Sequence, residues 1–247
     1  IVFIPHDSRP ISNKQTADVV QRVGYEVIVP PMELLGNRED WGHPDELWTW
    51  LDENLSQPGV KAAVISSDAM IYGSLVGSRK HSFSRDQVLA RAARFDALQR
   101  AHPKMPLYVF GSIMRTPRTG EASGHEEPEY YRRYGADIFR YTVLRDKDEV
   151  EGLTRRERKE YDFLGRLIPK EALADWMGRR EKNYVVNEYL IDLLRKHNTF
   201  RYLSLGRDDN APFSQTHLES RYLSAAGADL GKTRFQTMAG IDEIALL

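Results

Sequence analysis

Short apolar runs, rich in β-branched and aromatic residues, alternate along the chain with longer segments whose apolar positions recur at helical period. The runs fall at residues 1–5, 25–30, 61–67, 106–113, 200–205 and 234–240, and each predicts a strand. Between them the spacing predicts helices over about residues 12–23, from Pro44, from Ser84 and over 214–226. Pro44 suits a first helical turn, and the acids behind it suit the positive end of a helix dipole. Ser84 reads as an N-cap ahead of an apolar stripe of Val88, Leu89, Ala92, Phe95 and Leu98.

Strands of nearly continuous apolar character, joined by connections long enough for a helix, predict an α/β fold on a parallel sheet. A (β/α) barrel or partial barrel is the first expectation, and a doubly wound open sheet is the alternative. Residues 1–247 read as a single α/β domain. The rhythm breaks over 115–170, where a polar stretch with many aromatics predicts an elaborated loop and helical excursion over the sheet, not a linker. The chain opens inside an apolar run with neither Met nor signal peptide, and closes on "AGIDEIALL", a helix just begun. The expectation is the amino-terminal part of a longer protein.

In parallel α/β folds, sites lie beyond the carboxyl ends of the strands. The residues directly after each run are therefore the informative ones. After the first come His6, Asp7 and Arg9; after the third, Asp68, Tyr72 and Arg79. The fourth leads to Arg115, the fifth to "GRDDN" with Asp208, Asp209 and Asn210, and the sixth to Asp242 and Glu243. An Asp after a strand is commonly a cap or turn former. Acids and arginines recurring together at one rim instead suit a polar, hydroxyl-bearing or anionic small molecule. In "GRREKNYVVNEYLIDLL", Arg179, Asn183 and Asn187 share one helix face, so the two amides are candidates for substrate hydroxyls.

Composition narrows the classes. Charged residues make up 29% but nearly cancel, with a formal net charge of −1 and no basic stripe, which argues against nucleic acid. No apolar run approaches the roughly 20 residues of a membrane span. Without cysteine there is no disulfide, thiolate metal site or cysteine nucleophile. The compartment stays open, with the cytoplasm as the default expectation, and oligomeric state is unspecified. No Gly-x-Ser-x-Gly elbow, P-loop or Gly-x-Gly-x-x-Gly follows a strand, so neither a serine triad nor nucleotide binding is expected, and no cofactor is called for.

The motifs "HDSRPIS", "VPPMELLG", "SSDAMIYGSLVGSR", "SIMRTP", "EEPEYY", "RREKNYVVNEYLIDLL", "GRDDNAPFSQTHLE" and "AGIDE", in that order, resemble an uncharacterised bacterial family, domain of unknown function 4127. The resemblance covers essentially the whole chain. It implies a protein about twice as long, of which this is the amino-terminal half. It also implies two acids in the first motif, Asp-Asp-x-Arg-Pro, where this chain carries His6. It brings no activity with it.

The leading chemistry is glycoside hydrolysis, or a related reaction on a sugar. That reaction needs two carboxyl groups in different protonation states flanking the scissile bond. Asp208 is the expected polarising carboxylate and Asp209 the general acid. Asp7, Arg9, Asp68, Tyr72, Arg115, Asn183, Asn187, Asn210, Asp242 and Glu243 would bind substrate, with Tyr72 or Trp41 stacking on a sugar face. A metal-dependent hydrolase is the alternative, with His6, Asp7, Asp68 and Asp208 as ligands and His217 or Asp242 added. Against it, no metal-binding spacing such as His-Glu-x-x-His occurs. A sugar- or anion-binding domain without catalysis is the third reading.

Overall fold

The computed structural model describes residues 1–121, 124–209, 211–242 and 244–246. β1 (Val2–Ile4) runs through a rim loop into α1 (Lys14–Arg22). The chain then passes beside β1 at Ile28 and enters α2 (Pro44–Leu55). β2 (Ala63–Ser66) is followed at once by the short helices α3 (Ser67–Tyr72) and α4 (Gly77–Lys80), then α5 (Arg85–Ala101). β3 (Leu107–Ile113) leads to α6 (Tyr131–Val150), α7 (Arg155–Leu167) and the long α8 (Lys170–His197). β4 (Tyr202–Arg207), α9 (Gln215–Ala226) and β5 (Phe235–Ala239) complete the framework, before a 3-10 turn at Ile244–Leu246.

The strands lie in the order β1-β2-β3-β4-β5, and every neighbouring pair is parallel. The sheet is open. The barrel expected first is not formed, and five strands fall short of the roughly eight that close the common (β/α) barrel. The strand expected over 25–30 is reduced to one parallel bridge, Val2 to Ile28, because Pro30 and Pro31 withhold backbone donors. That bridge still fixes the topology. Ile28 flanks β1 on one side and β2 on the other, so the winding reverses at β1. In open α/β sheets such a reversal places the ligand crevice at the carboxyl ends of the two strands, here β1 and β2.

Alternation along the strands divides the core. Val2, Ile4, Ala63, Ile65, Leu107, Val109, Leu203 and Leu205 face a large apolar cluster completed by side chains of α2, α3, α5 and α8. Phe3 and Phe110 point the other way and pack with Ala17 of α1 and Ile244. Ser84 caps α5 with the full reciprocal capping box to Gln87.

The stretch over 115–170 is more ordered than a loop. Tyr131, Gly135, Ile138 and Thr142 recur at helical spacing on α6, and its helices bury a second core around Tyr131, Ile138, Leu164 and Trp176. This unit is fastened by Arg180 of α8, which is fully buried. Its Nε and Nη2 donate to both Glu219 oxygens on α9 at 2.9 and 2.7 Å. Its Nη1 and Nη2 donate to the carbonyls of Arg115 and Met114, just past β3, at 2.7 and 2.6 Å. The guanidinium thus ties α8, α9 and the exit of β3 together. Arg180→Ala should lower unfolding free energy by about 3–5 kcal/mol in urea titration, because it strands the Glu219 charge. Arg180→Ala with Glu219→Ala should recover part of that loss.

Candidate functional site

The crevice contains two connected groups of side chains. The inner one joins the exits of β1 and β2. His6 and Asp68 are both buried, with Nδ1 and Oδ2 at 3.3 Å. Ser66 ends β2 and caps α3, its hydroxyl oxygen accepting from the Ala69 backbone N–H. Its own hydrogen is therefore free for His6 Nδ1 at 2.9 Å. With Ser66 as donor, the imidazole proton is on Nε2, which has no acceptor among the described residues. Burial, then Arg9 and Arg79, pushes His6 down to about 3. Burial also pushes the Asp68 carboxyl up to about 7, against the pull of Ser112 and Arg79. The contact is thus a neutral imidazole beside a neutral acid, not an ion pair. Asp68 Oδ2 and the buried Tyr72 hydroxyl also lack hydrogen-bond partners among the described residues.

The outer group lies along the rim. Asp7 is buried and accepts from Arg9 Nε at 2.9 Å on each oxygen. Arg9 Nη2 donates to Asp242 Oδ1, also at 2.9 Å, linking the first rim loop to the last across 233 residues. Arg115 donates from Nε to Glu127 at 3.0 Å and places Nη2 2.9 Å from Glu126. Arg79, nearly buried at 3% exposure, reaches the same Glu126 oxygen at 3.2 Å, and Arg38 reaches the other at 3.3 Å. Burial alone would raise the Glu126 carboxyl, but Arg115, Arg79 and Arg38 together hold it below its usual range. Asp208, half-exposed, lies 4.0 Å from Arg115.

The rim pattern therefore brings His6, Asp7, Arg9, Asp68, Arg115, Asp208 and Asp242 into one interlinked region. Other candidates have different surroundings. Asn183 and Asn187 point inward, and both amides donate to the Ser112 carbonyl at 3.2 and 3.0 Å. Asp209 diverges from Asp208 and accepts the Ala211 N–H at 2.8 Å, forming a turn, while its other oxygen has no partner among the described residues. His217 pairs with buried Asp146 at 2.5 Å, between α9 and α6. Trp41 is partly exposed, its ring centroid 6.4 Å from that of Phe83. Arg179 is held by Asp175. Asn210 and Glu243 lie outside the described residues. No cluster of three or more histidines, cysteines or carboxylates able to hold a metal ion occurs among the described residues. Of the alternative metal set, His6 meets Asp68, whereas Asp7 is closed by Arg9 and Asp208 faces Arg115.

Sequence reasoning misses three participants: Arg38, Glu126 and Glu127. The two glutamates stand in "EEPEYY", a motif whose adjacent acids resemble "GRDDN" but follow no strand.

The Asp68 environment has a pH consequence. Its folded value lies above the unfolded value of 3.8, so the stability it confers is complete below about pH 4 and is lost as pH rises through about 7. Asp68→Asn has no such loss. The variant's unfolding free energy relative to the parent should climb between pH 4 and 7, by at most on the order of 4 kcal/mol in denaturant titrations.

Among the described residues, no helix is long and apolar enough to cross a membrane. No curated protein matches the chain. The family model described as "Protein of unknown function (DUF4127)" matches residues 1–247, the whole sequence, and the chain belongs to that family.

Proposed function

We propose that the crevice between β1 and β2 is the active site of a hydrolase acting on a polar substrate of carbohydrate character. The observation that supports this most is the coexistence of unlike carboxyl groups along one rim. Asp68 is buried and favoured in its protonated form, while Asp7 is clamped by an arginine and Asp208 stands half-exposed beside another. A carboxyl kept protonated by burial, near others in different surroundings, is what acid–base hydrolysis of a glycosidic bond draws on.

In this reading Asp68 is the proton donor and Asp208 the carboxylate that stabilises developing positive charge or activates water. Asp209, the general acid expected from the sequence, gives one oxygen to its own loop and has its second buried, so Asp68 takes the donor role in this reading. Asp7, Arg9 and Asp242 form a pre-oriented wall for hydroxyl groups. Tyr72 adds a buried hydroxyl beside Asp68. Asn183 and Asn187 act indirectly, by holding the end of β3. No cofactor is needed for this chemistry. A binding module is the second reading, favoured by the number of rim acids already matched with arginines.

Screening aryl glycosides tests the proposal. Turnover should survive chelator and fall at least ~100-fold in Asp68→Asn and in Asp208→Asn, with ligand binding retained, as loss of an acid–base group predicts. A general acid at Asp68 also requires the rate to decline as pH rises through about 7. Binding without turnover across the panel would leave the module reading in place. A pH profile unchanged in Asp68→Asn would exclude Asp68 as donor.

A further inference from the structure

Arg79 and Arg180 are both buried arginines, and they are satisfied very differently. Arg180 has two carboxylate oxygens and two backbone carbonyls within 2.6–2.9 Å. That is a finished structural joint. Arg79 makes one long bond, 3.2 Å, to Glu126, and its buried Nε has no partner among the described residues. Leaving a buried guanidinium donor unmet is costly, a feature Arg79 shares with Arg207 and Arg221 among the described residues.

The surroundings of Arg79 add a second observation. Arg38, Arg79 and Arg115 converge on one carboxylate, that of Glu126, within 3.3 Å. Glu127 answers Arg115 alone, and Asp208 stands back at 4.0 Å. Two close carboxylates are thus shared among three cations, with Asp208 as a more distant third. Planar guanidinium forks match carboxylate and phosphate oxygens better than they match neutral hydroxyls. Beside the spot, a hollow of about 450 Å³ is lined by Arg38, Glu39, Glu121, His125 and Glu126; Arg79 and Arg115 are not among its lining residues.

We infer that Arg38, Arg79 and Arg115 form a subsite for an anionic group on the substrate, and that the Glu126 carboxylate occupies it in the unliganded chain. The inference rests on the hydrolase reading for the word substrate, and it narrows that substrate to an acidic sugar. Glu126 acts as an internal competitor. A ligand carboxylate or phosphoryl group displaces it, takes up its contacts and supplies an acceptor for Arg79 Nε. The glutamate keeps the guanidiniums neutralised in the meantime.

The experiment is calorimetric and thermal titration of the parent chain and Glu126→Ala with glucuronate, glucose and inorganic phosphate. Glu126→Ala should melt below the parent and should bind glucuronate at least tenfold more tightly than the parent does. Glucuronate should restore its melting temperature, whereas glucose at equal concentration should not. Glu126→Gln, which keeps the side-chain shape, should show the same preference and covers a poorly folding alanine variant. Adding Arg79→Met and Arg115→Met to Glu126→Gln should abolish the binding. Phosphate outcompeting glucuronate would keep the anion subsite and identify the group as phosphoryl. Equal responses to glucuronate and glucose, or binding that survives loss of both arginines, would overturn the inference. Comparing aryl glucuronide with aryl glucoside separates the two readings. Glucuronate binding without turnover of either leaves the subsite and removes the hydrolase. Turnover of the glucoside without any preference for anions does the reverse.

Discussion

Parallel pairing is the constraint on which the rest of this molecule depends. Parallel strands need a crossover between each pair, so every strand leaves the sheet at the same edge. The loops after β1, β2, β3, β4 and β5 must therefore share one rim, whatever their distance in sequence. Arg9 meets Asp242 and Arg115 lies beside Asp208 for this reason. The winding reverses at β1, and the buried His6 and Asp68 lie at the exits of β1 and β2 beside that reversal.

Crowding acids and bases along one rim is tolerable only because they neutralise one another. Asp7 is matched by Arg9, Glu126 and Glu127 by Arg115, and Arg79 by Glu126. Neutralisation by pairing does not extend to the floor of the crevice. There burial defeats charge itself, leaving His6 and Asp68 uncharged in contact. The two layers differ in what they can offer a ligand. The rim offers exchangeable ion pairs, and the floor offers a proton on an acid that releases it near pH 7.

The framework was largely legible because its signals are local. Runs such as "KAAVISS" and "PLYVFGSI" can satisfy their apolar side chains only inside a sheet, and both became strands. The run over 25–30 has the same look, yet formed one bridge, since Pro30 and Pro31 remove the donors a longer ladder needs. α6 was harder to read because its buried face includes Gly135 and Thr142, which carry almost no hydropathy signal. Helical spacing did place Asn183 and Asn187 on one face. Whether that face met substrate or backbone depended on the Ser112 carbonyl, more than seventy residues away. Arg180 and Glu219 were invisible for a related reason: nothing local separates a buried arginine from the others in a chain with 35 Lys and Arg residues.

Position 6 shows what a histidine beside a buried acid does to the proton count of the crevice. The family resemblance implies an acid there. Two carboxyls at the His6–Asp68 separation could not both ionise in a buried site, so such a pair would hold one proton between them near neutral pH. Neutral His6 beside protonated Asp68 also leaves one titratable proton at the contact above pH 3 or so, until Asp68 releases it near 7. Placing a histidine at that point replaces a potential negative charge with a donor, Nε2–H, and leaves the acid as the only group that can become anionic. The net charge of the floor is then set by Asp68 alone, and its burial, rather than a like-charged neighbour, is the larger force keeping it protonated.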